Sequence, residues 1–387
     1  MAGASMYDVS VVKCDDYKAE SARAALTEAI DAVGGLDWIE KGMKIVIKAN
    51  LVSFMAPDKA ATTHPVLLIA LVELLLERGA EVIVGDSPGG LWTAVFVNRV
   101  YKATGMKDVE AAGAILNQNY DIRHVEGGDG MVLKDFQYTA FLDEADAIID
   151  FCKLKTHGMM GMSAAAKNMF GCIPGVSKPE YHFRFPKHED FARMIVDLNH
   201  YFKPRLCICD AVVGMEGNGP TMGTPRKIGA VLASVCPHKM DLVCAQLIGL
   251  TRDDVPTLAA AYERGLIPET AEDLSVYGDP ESFFVPDFQN IPNRSSLEFS
   301  KDSTKFFGKL SALFVGKALR SVPKLKTGEC VGCGVCRDIC PAKAITIKKG
   351  KAIIDRPACI RCFCCQEFCP KGAMKVKRPL LAKLLNK

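Results

Sequence analysis

Nine cysteines lie between positions 330 and 369 of a 387-residue chain. Eight of them form two runs of one spacing: Cys330, Cys333, Cys336 and Cys340 before Pro341, then Cys359, Cys362, Cys365 and Cys369 before Pro370. Three thiolates two residues apart can wrap one corner of an iron–sulfur cubane, and a fourth, carried by a short helix that ends at proline, reaches across to a neighbouring cluster. The spacing therefore predicts two [4Fe-4S] clusters. One takes Cys330, Cys333, Cys336 and Cys369; the other takes Cys359, Cys362, Cys365 and Cys340. Structural zinc favours two C-x2-C pairs separated by a long loop. A disulfide framework belongs to an oxidising compartment, and the amino terminus shows no basic segment followed by an apolar one. Cys364 has no place in either run and reads as a bystander.

A second group of chemistry-bearing residues follows apolar, strand-like segments in the first 220 positions. Lys48 and Asn50 follow one such segment, and Asp86, Ser87 and Gly89 lie in the glycine-rich loop after the next. Lys153, Lys155 and His157 follow a third, Lys167 and Asn168 lie in a Gly- and Met-rich stretch, and Glu216 closes a fourth. Lysines spaced two apart on extended chain share a face and can clamp a carboxylate or phosphate, although solvated lysines are the bland alternative. The loop at 85–90 matches neither common phosphate-loop pattern, so an ordinary tight turn competes with an anion cradle. His157 and His64 are candidate proton donors, with Lys155 beside them, against the commoner structural histidine. Residues 181–188 mix aromatics with cations and read as a loop, either a lid or a surface crossing.

The elements that position these residues alternate in type. Strands are predicted over residues 7–13, 43–49, 81–85, 146–151, 205–210 and 228–235, and helices over 21–33 and 65–78, the latter opened by Pro65 and stopped by Gly79. Such alternation predicts an α/β fold: a mostly parallel-sheet body with a C-terminal α+β two-cluster ferredoxin domain. The expected divisions are a body over 1–278, a linker wrapping it over 279–322, the cluster domain over 323–378 and a basic amphipathic tail over 379–387.

Charge divides the chain in the same way. Residues 301–387 carry 20 Lys and Arg against 5 Asp and Glu, while the first 300 carry 28 against 40. The basic end favours an acidic electron donor or acceptor protein. Its basic residues are interleaved with cysteines, so nucleic acid is not the expected partner. The longest apolar stretch, 66–76, is broken by Glu73 and is far shorter than the ~20 residues of a membrane span. The expected location is the cytoplasm.

Taken in order, Lys48 and Asn50, Thr63-His64-Pro65, Gly85-Asp86-Ser87-Pro88-Gly89, Lys153-Leu154-Lys155-Thr156-His157, Lys167-Asn168, Gly171, Glu216-Gly217 and Gly219-Pro220 give a chain that resembles the domain of unknown function three-six-two, a family often fused to a two-cluster ferredoxin module. The resemblance implies an iron–sulfur redox protein and supplies no substrate or catalytic residues. The leading expectation is an oxidoreductase whose clusters exchange electrons with an anionic small molecule or cofactor in the body; an unidentified organic cofactor is allowed, and no dinucleotide fingerprint is present. The competing expectation is a noncatalytic electron carrier or adaptor docking on a partner enzyme through basic segments such as 305–320 and 380–387.

Overall fold

The computed structural model describes residues 7–291 and 322–377. The expected tail, the two basic segments and most of the expected linker lie outside the described residues. The chain forms two compact units, Met1–Asn290 and Ile291–Lys387.

The first unit is built from apolar strands alternating with helices. Strand β1 (Val9–Lys13) leads to α1 (Ala19–Ala32) and then β2 (Lys44–Lys48), whose four residues after Lys44 are buried, as a strand covered on both faces requires. Helix α2 (Pro65–Leu76) starts on Pro65, whose missing N–H costs nothing at a first helical position. It buries residues on nearly every side, among them Leu67, Leu68, Leu71 and Leu75, and so belongs to the interior. Each such leucine is worth about 1.5–3 kcal/mol of burial. Strand β3 (Glu81–Gly85), helices α3 (Ala94–Ala103) and α4 (Met106–Ala111) and strand β4 (Ile115–Leu116) follow, then the β5 (Ile122–Val125) and β6 (Phe136–Thr139) ribbon.

Strand β7 runs from Ala147 to His157, six residues beyond the expected end. The segment holding Lys153, Lys155 and His157 is therefore strand and not loop. It stays extended because β8 (Gly161–Ser163) folds back on it, pairing Lys155 with Ser163 and His157 with Gly161. Strand β9 (Leu206–Glu216) is lengthened for the same reason, through its hairpin with β10 (Thr224–Ser234). The expected loop at 181–188 is also corrected: it comprises the end of α6 (Lys178–Arg184) and the start of α7 (His188–Phe202), separated by Pro186. The short α5 (Ala165–Asn168), α8 (Pro237–Leu247), α9 (Pro256–Glu263) and β11 (Val276–Tyr277) complete the unit. Residues after β11 stay on it, with Val285 N–H donating to Leu247 O at 2.9 Å and Gln289 N–H to Glu216 Oε2 at 3.0 Å.

The main sheet has the order β11-β1-β10-β9-β7-β2-β3-β4 with β8 attached to β7. Only β10 and β8 run against the others. The chain builds outward from β2 through β3 to β4 and then returns to place β7 on the other side of β2. That reversal between β2 and β7 is a topological switch point, and the carboxyl ends of the strands there are the place where open α/β sheets bind ligands.

The second unit contains two antiparallel pairs, β12 (Val322–Leu325) with β15 (Met374–Lys377) and β13 (Ile345–Lys348) with β14 (Lys351–Ile354). Two single-turn helices, Val335–Asp338 and Cys364–Glu367, lie between them. Positions 29 apart repeat an unusual backbone: Gly332 and Arg361, Gly334 and Phe363, and Lys343 and Gly372 all have positive φ. The left-handed conformation is held at equivalent places even where one copy lacks glycine, the mark of a duplicated loop whose curl is required.

Candidate functional site

In the second unit the cysteines gather around two cavities. One encloses about 350 Å³ of empty space, open solvent included, and is bordered by Cys330, Cys333, Cys336 and Cys369 with Leu325, Ile347 and Met374. The other, about 330 Å³, is bordered by Cys340, Cys359, Cys362 and Cys365 with Ile345, Ile354 and Phe363. Each cavity thus draws its fourth cysteine from the other run. Cys364 also borders the second cavity and hydrogen-bonds to Cys362. Ala344 N–H donates to Cys340 Sγ at 3.3 Å and Ala373 N–H to Cys369 Sγ at 3.2 Å, again 29 residues apart. Amide donors to thiolate sulfur stabilise the electron-rich cluster and raise its potential. Among the described residues, no three His, Cys, Asp or Glu side chains are grouped to hold a single metal ion. The donor set, its apolar lining and its sulfur-directed amides fit cubane clusters.

In the body, the carboxyl ends of β2, β7 and β9 carry a buried polar network. Lys48 Nζ lies 2.6 Å from Asp86 Oδ1, both side chains almost fully enclosed. Gly171 makes room for the pair: a Cβ there would collide with Lys48 Nζ and Asp86 Oδ1. Leu51 N–H donates to Asp86 Oδ2 at 2.8 Å, fixing the acid after β3. Asn168 donates to Lys48 O at 3.1 Å and to Asp150 Oδ1 at 2.6 Å, and accepts from Asn50 Nδ2 at 2.7 Å. Asn50 Oδ1 in turn accepts from Lys155 Nζ at 2.6 Å, which also donates to Ala61 O. Two residues earlier on β7, Lys153 Nζ reaches Asp210 Oδ2 and Tyr17 Oη, each at 2.8 Å. Tyr17 donates to Asp210 Oδ1 and stacks on His64 at 3.6 Å.

Burial shifts the titration of Asp150, His64 and His157. Asp150 is fully buried, its Oδ2 has no hydrogen-bond partner, and its pKa is pushed up to about 8, chiefly by burial. His64 falls to about 4, again through burial first, with Lys153 adding to the effect and Asp210 opposing it. His157 lies well below its ordinary range through burial, with Lys167 the next cause. Its Nδ1 accepts N–H groups from Met159 and Met160 at 3.1 and 3.2 Å. The imidazole is therefore neutral at pH 7 and carries its hydrogen on Nε2.

A model of the domain of unknown function DUF362 matches residues 45–246, and a 4Fe-4S dicluster domain matches residues 323–370. The chain belongs to the DUF362 family. A curated relative, the thylakoid-associated protein sll1697 of Synechocystis sp., is 30% identical over 290 residues, covering 73% of this chain and 87% of that protein. Among solved structures, the lactate racemase apoprotein of Thermoanaerobacterium thermosaccharolyticum aligns with a TM-score of 0.35 at 14% identity, over 54% of this chain and 50% of that one. That likeness is too slight to carry an argument. The dicluster domain makes the coarse role of this DUF362 protein iron–sulfur electron transfer. Among the described residues, no helix is long and apolar enough to cross a membrane.

Within this DUF362 body, Lys48, Asn50, Asp86, Lys155 and Asn168 fall into one hydrogen-bonded network, and Lys153 joins His64 through Asp210 and Tyr17. Glu216 stands apart, its carboxylate accepting from Gln289 N–H. Gly89 serves loop geometry through its N–H to Val52 O at 2.8 Å. Ser87 donates its N–H to Gly171 O at 3.3 Å, and its buried Oγ has no partner. Three participants were missed by the sequence reading. Asp150 and Asp210 were each visible as a lone acid in an apolar strand, a costly placement unless neutralised or paired. Tyr17 carries no such signal; only the tertiary fold brings it 193 positions along the chain to Asp210.

Proposed function

We propose that this protein is an iron–sulfur oxidoreductase in which two [4Fe-4S] clusters exchange electrons with an anionic small molecule or cofactor held in the α/β body. The observation that carries the reading is the joining, in one chain, of two four-cysteine cavities to a body whose buried lysines and imidazoles collect where the strand order reverses. The ligands would be Cys330, Cys333, Cys336 and Cys369 for one cluster and Cys340, Cys359, Cys362 and Cys365 for the other. When bound, the clusters supply one-electron carriers.

The body's own residues set the terms of binding. Lys48 and Lys153 are neutralised by Asp86 and Asp210, so they shape the switch point and polarise its donors. His157, neutral with Nε2–H outward from its two backbone contacts, offers a hydrogen-bond donor, and a proton donor only to a strongly basic developing charge. Asp150 near pH 8 is the group best placed in pKa to hold an exchangeable proton at neutral pH, reached through Asn168 and Asn50. Cysteines spaced for clusters and not for disulfides suit a cytoplasmic location, and the basic carboxyl end suits an acidic protein as electron donor.

The internal pairing of Lys48 and Lys153 also suits a carrier whose polar core is purely structural. Anaerobic purification, chemical reduction and addition of anionic metabolite fractions separate the two. Reoxidation that disappears in Lys155→Met and His157→Gln with both clusters intact is the enzyme's signature. Undiminished electron delivery to protein acceptors by those variants, with no metabolite response in the parent, is the carrier's.

A further inference from the structure

The two four-cysteine sets leave one thiol of the second unit without a role: Cys364, a bystander by spacing alone, two residues after Cys362 and one before Cys365. We propose, resting on the reading of both cysteine cavities as [4Fe-4S] sites, that Cys364 is a positioning residue. Its S–H donates to the Cys362 thiolate and raises the reduction potential of the cluster held by Cys340, Cys359, Cys362 and Cys365.

The duplicated loops supply the comparison. Position 364 corresponds to position 335, 29 residues earlier, in the repeat that sets Gly332 against Arg361 and Gly334 against Phe363 with the same left-handed backbone. Each of the two residues opens a single-turn helix, Val335–Asp338 or Cys364–Glu367, so the backbones agree and the side chains differ. Val335 is 37% exposed and is not among the residues bordering the first cavity. Cys364 is 1% exposed, borders the second cavity and makes a side-chain hydrogen bond with Cys362. The backbone N–H of Cys364 donates to the same sulfur. One residue thus brings two donors to one ligand.

The direction of the sulfur–sulfur bond follows from chemistry. A cysteine bound to iron is a thiolate, with lone pairs and no hydrogen, and can only accept. Cys364 lies outside both ligand sets, keeps its hydrogen and is the donor. Reduction adds an electron to the cluster and its thiolates, and a hydrogen bond to a ligating sulfur stabilises that added charge.

The second loop has more need of such a donor than the first. Cys333 is exposed to water, whereas its counterpart Cys362 is half-buried and is followed by Phe363, Cys364 and Cys365, all buried. Away from water, added negative charge is more costly. The Cys364 hydrogen offsets part of that loss and keeps the enclosed cluster reducible beside its more exposed neighbour.

The test uses the full-length protein, purified anaerobically with its clusters and titrated with a chemical reductant while electron paramagnetic resonance follows the reduced centres. Cys364→Val copies the residue that the first loop carries at this place, and Cys364→Ser retains a hydrogen on a smaller atom. Both variants should keep about eight irons per chain. In Cys364→Val one midpoint should fall, its reduction equilibrium shifting at least threefold, about 28 mV at roughly 59 mV per tenfold change, while the other holds. In Cys364→Ser both should stay within that margin of the parent. The wave that falls must be the one that Cys340→Ser perturbs; a fall of the wave that Cys369→Ser perturbs overturns the assignment. Two unmoved midpoints, an equal fall of both, or the same fall in the valine and serine variants also overturn it, as does a loss of about four irons from Cys364→Val, which would make Cys364 a ligand. Failure of the cluster reading itself is distinguishable: a parent with far fewer than about eight irons removes the clusters, whereas a fully loaded parent with unmoved midpoints in the variants removes only the Cys364 donor.

Discussion

Asp150 sits in the middle of a sheet with one amide donor from Asn168 and one oxygen unmatched, so it keeps its proton to about pH 8. A carboxyl whose folded pKa lies above its unfolded value favours the folded state fully at low pH, and that contribution is lost as pH rises from about 4 through 8. Asp150→Asn, which keeps shape and polarity, should flatten the fall in unfolding temperature between pH 5 and 8 relative to the parent. An unchanged slope would show that Asp150 is ionised throughout. Asp210 presents the opposite case, a carboxylate shared by Lys153, Tyr17 and His64 N–H. Asp210→Asn leaves Lys153 buried beside a neutral group and should cost roughly 3–5 kcal/mol in urea unfolding. The two acids look alike in sequence, each in an apolar strand, and differ in whether the carboxyl is hydrogen-bonded by a lysine or by an amide.

At the scale of elements, glycines and left-handed residues show where backbones must approach. Gly171 lies against the Lys48–Asp86 pair with no space for a methyl group. Gly171→Ala should therefore lower stability by about 1–3 kcal/mol, measurable as a shifted urea midpoint, and should disturb the Lys48–Asp86 pair. In the cluster unit, Gly332 and Arg361 occupy equivalent positions with φ of 68° and 60°. A Cβ at Gly332 would run into the backbone of Gly350. Gly332→Ala should reduce iron from about eight to about four atoms per chain, whereas Arg361→Gly should leave it at about eight. Iron and acid-labile sulfide analysis under anaerobic conditions gives the answer. The extension of β7 through His157 belongs to this scale as well. Its apolar run ends near Cys152, so the sequence reading stopped the strand there, but pairing with β8 and β9 supplies hydrogen-bond partners that no local pattern records.

Across the whole molecule, the exchange of the fourth cysteine couples two sequence runs into one cluster unit. Cys369→Ser should perturb the cluster otherwise held by Cys330, Cys333 and Cys336, and Cys340→Ser the one held by Cys359, Cys362 and Cys365. Electron paramagnetic resonance of the reduced variants should therefore lose the signal of the opposite run, and loss of the local run's signal would refute the exchanged ligand set. The uneven charge of the chain makes a further expectation. Electron transfer from an acidic donor protein should slow steeply as salt rises from 0.05 to about 0.3 M, because screening removes the attraction of the basic carboxyl end.

The cysteine runs, the alternation of apolar strands with helices and the polar residues that close those strands were legible without coordinates, because ligand spacing and hydrophobic period are local properties of a chain. They determined the fold class and the dicluster domain. What only the tertiary structure decided is which charges stand against one another. Lys48 and Lys153 look equivalent in sequence to any exposed lysine, yet Asp86 and Asp210 pair with them in the buried sheet from other segments of the chain. Coulomb attraction acts over a few ångströms of space, whatever the distance along the chain.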